Sequence, residues 1–290
     1  MSTNSSIKRQ AGNLKQEGKQ AIQSATTSPL MEKLIRLGYM MRGLVYGVIG
    51  LLALQVAIGS GGKITDQQGA IAALGGTPLG QVLLYVMLAG LIGYALWGFI
   101  RAVVDPLQEG TDAKGIAQRV GYMVSGISYG LLALSTYGLI TAKTTAAASG
   151  AQGAQTQQAT ASILTQPWGP WVVALAAAIV IGVGLLQIYT GLRPKLNPQF
   201  QLAGRAGSAR KWLEWAGRFG TVARGIVFSL IGVFLLQAAT QHNASRAQGF
   251  DGVLTALLQQ PYGTLLLGIV AAGLIAFGIY SAMIRRVVKA

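Results

Sequence analysis

The chain has no cysteine, one histidine and only eight acidic residues among 290. Without cysteine it can form no disulfide, thiolate metal site or thiol nucleophile. The lone histidine, His242, falls in a loop. The acids are scattered, and none is paired with a base as general acid–base chemistry requires. No glycine-rich loop of the phosphate-cradling kind is present; the 40 glycines mostly follow a helix-packing spacing. Charged residues make up 11% of the chain, against about 25% in soluble proteins. No cleavable signal is visible, because the first 38 residues are mostly polar and basic. These absences point away from an enzyme, and no cofactor or metal is expected.

What fills the chain is apolar, 52% of its residues. The apolar residues lie in six blocks, 39–59, 79–100, 120–140, 168–190, 221–239 and 262–284. A helix of 21 residues rises about 32 Å, enough to cross the hydrocarbon core. Apolar residues run all the way round each block, which excludes a one-stripe amphipathic soluble helix. None of the six blocks contains an acidic residue, so the usual carboxylate proton relays of pumps are missing.

The net charge of +15 is unevenly placed. All but three of the 23 basic residues, Lys63, Lys143 and Arg246, fall on one set of alternating loops or at the adjoining helix starts. That is the positive-inside bias, and it predicts that both termini are cytoplasmic. Topology accounts for the basic balance, so no nucleic-acid partner is expected.

One unit recurs three times, which sets the architecture. First helices begin with the runs Gly38 to Gly47, Gly121 to Gly130 and Gly220 to Ser229; second helices follow Pro78-Leu79-Gly80, Pro167-Trp168-Gly169 and Pro261-Tyr262-Gly263. The expected organisation is a basic tail over 1–28 and two-helix repeats over 29–104, 111–193 and 208–287. All repeats start on the same side, so they are predicted to be parallel and related by a pseudo-threefold axis. The fold class is an all-α integral membrane protein of six spans. Ahead of the first and third units, Glu32 with Arg36 and Glu214 with Arg218 stand four apart, suiting a short interfacial helix supported by Trp212 and Trp215. Short outer helices are expected near 69–74 and 252–257, and a low-complexity, mobile loop over 144–153.

Small residues four apart mark the helix starts: Gly43 with Gly47, Gly126 with Gly130, and Gly225 with Ser229. Such pairs let backbones approach closely where lipid gives no hydrophobic drive for association. Packing is the first reading and a ligand-lining face the second. Arg42 and Arg224 occupy the same place in units one and three, with Ser125 between them in unit two. Two readings stand for the arginines. They snorkel to the headgroups, or they turn inward around a shared vestibule and hold lipid phosphate or another anion. Gln55 and Gln237 are also equivalent and could bond across helices. Tyr39, Tyr46, Tyr122 and Tyr129 read as interface anchors.

The pattern of Gly38 to Gly50, Asp66 to Leu74, Pro78 to Gly80 and Gly90 to Trp97 resembles the domain-of-unknown-function 1206 family. Unit two departs most, with Ser125 in the arginine position. The resemblance implies a bacterial inner-membrane protein of three tandem two-helix units and no established activity. The function expected is a non-enzymatic scaffold or accessory subunit, or a lipid-interacting protein, with membrane lipids, a membrane protein or a second copy as partner. The alternative is a conduit or binding protein for anions or lipid headgroups along the axis.

Overall fold

A chain that crosses lipid must satisfy every backbone polar group within itself, and among the described residues all regular structure is helical. The structure, a computed structural model, describes residues 29–77, 79–104, 112–142, 151–193 and 208–283. The basic tail and the Glu32 side chain lie outside the described residues. Six helices are long and apolar enough to span a membrane: α1 (Pro29–Ala57), α3 (Gly80–Val104), α4 (Ala113–Ala142), α6 (Gly169–Leu192), α7 (Ser208–Thr240) and α9 (Gly263–Met283). Three shorter helices, α2 (Gln67–Gly75), α5 (Ala151–Leu164) and α8 (Phe250–Leu258), sit one in each unit between its two spans. The chain is a multi-pass membrane protein. Its outward faces carry bare large apolar side chains such as Leu131, Leu134 and Leu175, as a lipid solvent permits.

Two expectations are corrected. No separate interfacial helix precedes the spans: α1 and α7 each run unbroken from Pro29 and Ser208. No proline interrupts either apolar run. The middle loop is also not structureless beyond residue 150, since Ala151 to Leu164 form α5. Its alanines and glutamines favour helix even though they carry no charge pattern.

The Pro-x-Gly motif is a tight turn. In each unit the glycine N–H donates to the carbonyl three residues back: Gly80 to Thr77 (2.7 Å), Gly169 to Gln166 (2.9 Å) and Gly263 to Gln260 (2.8 Å). Proline suits the second place of such a turn and glycine the fourth. A Cβ on these glycines would collide with the carbonyl oxygens of Gly75, Ile163 and Leu258 respectively. The turn therefore docks the second span onto the end of the short helix before it.

Neighbouring spans pack antiparallel through glycines. A Cβ on Gly98 of α3 would stand 2.9 Å from the Gly126 Cα of α4. On Gly184 of α6 it would lie 2.7 Å from the Gly225 carbonyl of α7, and on Gly278 of α9 2.6 Å from the Gly43 carbonyl of α1. These three joints link the second span of one unit to the first span of the next, and the last span to the first. Within units one and three, α1 packs on α3 and α7 on α9. In unit two α4 and α6 do not pack along their lengths. The spans form an open arc, α4–α3–α1–α9–α7–α6, with a slot between its ends. At one end of the bundle the Gln68 amide of α2 ties unit one to unit two, donating to Ser135 of α4 (3.0 Å) and to Gln155 of α5 (3.4 Å).

At the other end two arginines clasp consecutive units. Arg119 donates through Nε to the Ala102 carbonyl (2.8 Å) and through Nη2 to that of Val103 (3.1 Å). Arg218 does the same to Gly191 (3.2 Å) and Leu192 (3.3 Å). The four carbonyls end helices α3 and α6, where acceptors lack intrahelical donors and the dipole favours a cation. Arg218 thus serves the joint between units two and three, a role its spacing from Glu214 did not indicate. Arg218→Ala should destabilise the protein by about 1–3 kcal/mol, as for a lost charged hydrogen bond. Arg218→Lys should restore only part, because one ammonium replaces a two-pronged fork. Thermal unfolding in detergent checks both, and an unshifted midpoint for Arg218→Ala would rule the clasp out as a stabilising element.

Candidate anion site

The arc brings Arg42 and Arg224 to one aromatic ring. Arg42 projects from α1 and Arg224 from α7. Their guanidinium carbons stand 4.7 Å and 5.1 Å from the centroid of Phe277, on α9. The two charges are therefore no more than about 10 Å apart, where like charges repel by roughly 1–2 kcal/mol at an effective dielectric near 20.

Aromatic side chains form the walls. Arg42 also faces the rings of Tyr94 (5.4 Å) and Tyr129 (5.9 Å), and its Nη1 donates to the Tyr94 hydroxyl. Arg224 faces Tyr46 (5.2 Å) and Phe228 (4.9 Å). The rings support one another edge-on: Tyr39 with Tyr94 at 5.0 Å and Tyr46 with Phe277 at 5.1 Å, while Tyr94 and Tyr129 meet at 4.5 Å. A cation over a desolvated ring gains about 2 kcal/mol or more, which offsets part of the cost of drawing these half-buried arginines against the bundle. Tyr39, Tyr46 and Tyr129 are buried, so they are walls of this site and not interface anchors.

Among the described residues neither arginine has a carboxylate partner within ion-pair distance. The Nε of each arginine is buried with no hydrogen-bond partner among the described residues. A buried N–H without an acceptor costs about 1–3 kcal/mol. Two such donors beside two positive charges make a site that an oxyanion would complete.

The other residues singled out in the sequence fall as follows. Ser125 is half-buried on α4, with no bond to either arginine among the described residues; α4 reaches Arg42 through Tyr129 instead. Gly43, Gly126, Gly225 and Ser229 lie in the joints, and the Gly47 backbone lies 2.8 Å from where a Cβ on Gly278 would stand. Gly130 is different: no atom lies within 4 Å of its Cβ position, and it borders none of the three joints' glycines. Gln55 is exposed and Gln237 half-exposed, and neither side chain bonds across helices among the described residues. Ser281 Oγ on α9 does bond across spans, donating to the Tyr39 carbonyl of α1 (3.0 Å).

Sequence reasoning passed over three features of the site. Tyr94 and Phe277 are equivalent within their units, each 16 residues after the first residue of Pro-x-Gly, which the repeat could have revealed. The corresponding residue of unit two is Val183, so that unit contributes no aromatic ring from this position. Arg101, counted only as a loop charge, is buried in the last turn of α3 with its guanidinium carbon 3.6 Å from the Tyr122 ring centroid.

Comparison with known proteins fits this architecture. The family model described as Domain of Unknown Function (DUF1206) matches three segments, residues 37–105, 120–193 and 219–284, one for each unit. An uncharacterized protein of Bacillus subtilis (strain 168), YxxB, is 34% identical over 257 residues, which cover 89% of this chain and 91% of that protein. No solved structure matches the chain. On these matches and on its three two-span units, the chain belongs to the domain-of-unknown-function 1206 family.

Proposed function

We propose that the protein is a non-enzymatic membrane protein that binds a phosphate-bearing anion at Arg42 and Arg224. The observation that carries this reading is the pair of arginines sharing Phe277, each with a buried Nε that has no partner, and no carboxylate to neutralise it, among the described residues. Arginine receives phosphate through a planar fork, whereas lysine offers a point charge. No feature of the described residues favours the scaffolding role expected from the sequence. The test is Arg42→Lys with Arg224→Lys, which should keep membrane insertion while weakening retention of a phosphate-bearing ligand about 10-fold or more, the equivalent of 1.4 kcal/mol. Native mass spectrometry with added phosphatidylglycerol or glycerol phosphate reads it. Unchanged retention of both would overturn the fork.

The same reading sets the units about a pseudo-threefold axis along the membrane normal, parallel to one another, with both termini on the cytoplasmic face of a bacterial inner membrane. Support comes from the three equivalent glycine joints and from the one-sided basic charge. Reporters inserted at Lys63 or Arg246 should then report the outer face and one at Lys114 or Arg205 the cytoplasm. An outer signal at Lys114 would reverse this orientation.

A further inference from the structure

We propose that the ligand is an anionic phospholipid that enters sideways from the bilayer through the slot between α4 and α6; this rests on the anion-site reading above. The slot is the one place in the arc where successive spans do not pack. Lipid surrounds it, and a bare gap between helices would leave its lining without contact atoms, so acyl chains fill it.

The slot leads toward the arginines. On α4, Gly126 faces α3 and Tyr129 faces Arg42. At 3.6 residues per turn, Ser125 and then Ser128 follow on the side beyond Tyr129, with Ser128 about 160° from Gly126. Ser128 is exposed and its hydroxyl is turned back onto the Val124 carbonyl (2.8 Å), so this edge of α4 is small and open. On α6, Gln187 lies one turn from Gly184, which packs against Gly225 beside Arg224. The Gln187 Oε1 is buried with no partner among the described residues. A short polar stretch thus lies at the level of the arginines between two otherwise apolar helices. Unit two, where serine replaces arginine and Val183 replaces the aromatic, is the unit whose hairpin is open.

The occupant follows from charge and surroundings together. Two uncompensated arginines select an anion. A slot that opens on the lipid between two otherwise apolar spans selects one that carries hydrocarbon. An anionic phospholipid has both parts: its phosphate between Arg42 and Arg224, and an acyl chain lying out between α4 and α6.

The experiment uses the full chain in detergent with three probes: phosphatidylglycerol, phosphatidylcholine and water-soluble glycerol 3-phosphate. Binding is read by native mass spectrometry and by the shift in thermal midpoint. The wild type should retain phosphatidylglycerol at least tenfold better than phosphatidylcholine. Ser128→Trp, which fills the slot without touching the arginines, should lose that retention while glycerol 3-phosphate still shifts the midpoint. As a check independent of that variant's folding, Ser128→Cys supplies the only thiol. A photo-crosslinker on it should capture phosphatidylglycerol in preference to phosphatidylcholine. Retention unchanged in Ser128→Trp, or crosslinking without headgroup preference, overturns the sideways entry and leaves the anion site standing. A wild type that responds to glycerol 3-phosphate but holds no phosphatidylglycerol overturns the lipid identity alone. A wild type that responds to neither overturns the anion site and this inference with it.

Discussion

Gly263→Ala is expected to abolish accumulation of the folded protein. A Cβ at this position collides with the Leu258 carbonyl oxygen, and the Leu257 carbonyl is 2.8 Å away on the same side. Both obstacles are backbone, so no side chain can swing clear. Relief requires α9 to move off the end of α8, which opens the packing of Leu267 and Leu274 in the core. Overpacking costs about 1–3 kcal/mol where side chains can adjust and more where they cannot, so a loss of about 3 kcal/mol or more is expected. Gly130→Ala is the control. Its Cβ meets no atom within 4 Å, and alanine favours helix over glycine by up to about 1 kcal/mol. Size-exclusion profiles of fluorescent fusions compare the two. A monodisperse Gly263→Ala protein at wild-type yield would show that the tight turn does not fix the second span.

Arg224→Met is expected to raise the thermal midpoint while removing the response to anions. Arg224 is half-buried with its Nε enclosed, so it carries part of the several kcal/mol that a fully buried charge costs. The second arginine adds roughly 1–2 kcal/mol of repulsion at the separation set by Phe277. Against this stand the ring contacts, about 0.5–2 kcal/mol each. Methionine keeps much of the side-chain volume and can pack on Tyr46 and Phe228, so the lost contacts are partly replaced. The balance favours the neutral residue, and each kcal/mol gained raises the midpoint by about 2–4 °C in proteins of 150–250 residues. In the wild type a ligand at 100 times its dissociation constant should contribute about 2.7 kcal/mol, which the variant should lose. A variant less stable than wild type, with its anion response intact, would mean that Arg224 is structural.

The six spans and their threefold recurrence were legible because hydropathy reports depth and the repeat reports equivalence. The expected block 39–59 agrees with the span Arg36–Ala57, and 262–284 with Gly263–Met283, to within a few residues. Azimuth was not legible. A helix apolar all round says nothing about which side meets protein and which meets lipid. For that reason Tyr39, Tyr46 and Tyr129 read as interface residues and turned out buried. The arginines were found because their places in the repeat match, but their common ring was not, because Phe277 is far from both along the chain. The reach of Arg119 and Arg218 to carbonyls of a preceding helix involves backbone acceptors, which leave no trace in side-chain spacing.

The joint between α1 and α9 fixes the timing of assembly. Span α1 has one of its two main partners in α9, which is made after the four spans between them, with Gly43 waiting for Gly278. Until α9 is made, the α1 face that carries Gly43 and Gly50 is covered only by lipid, which exchanges freely and competes weakly with a glycine-lined helix surface. Growth is sequential along α3–α4 and α6–α7, whereas closure depends on the final hairpin. A ribosome that stalls before residue 263 therefore leaves a chain with five inserted spans and an unmatched seam. Such a chain offers membrane quality control a defined mark of incompleteness.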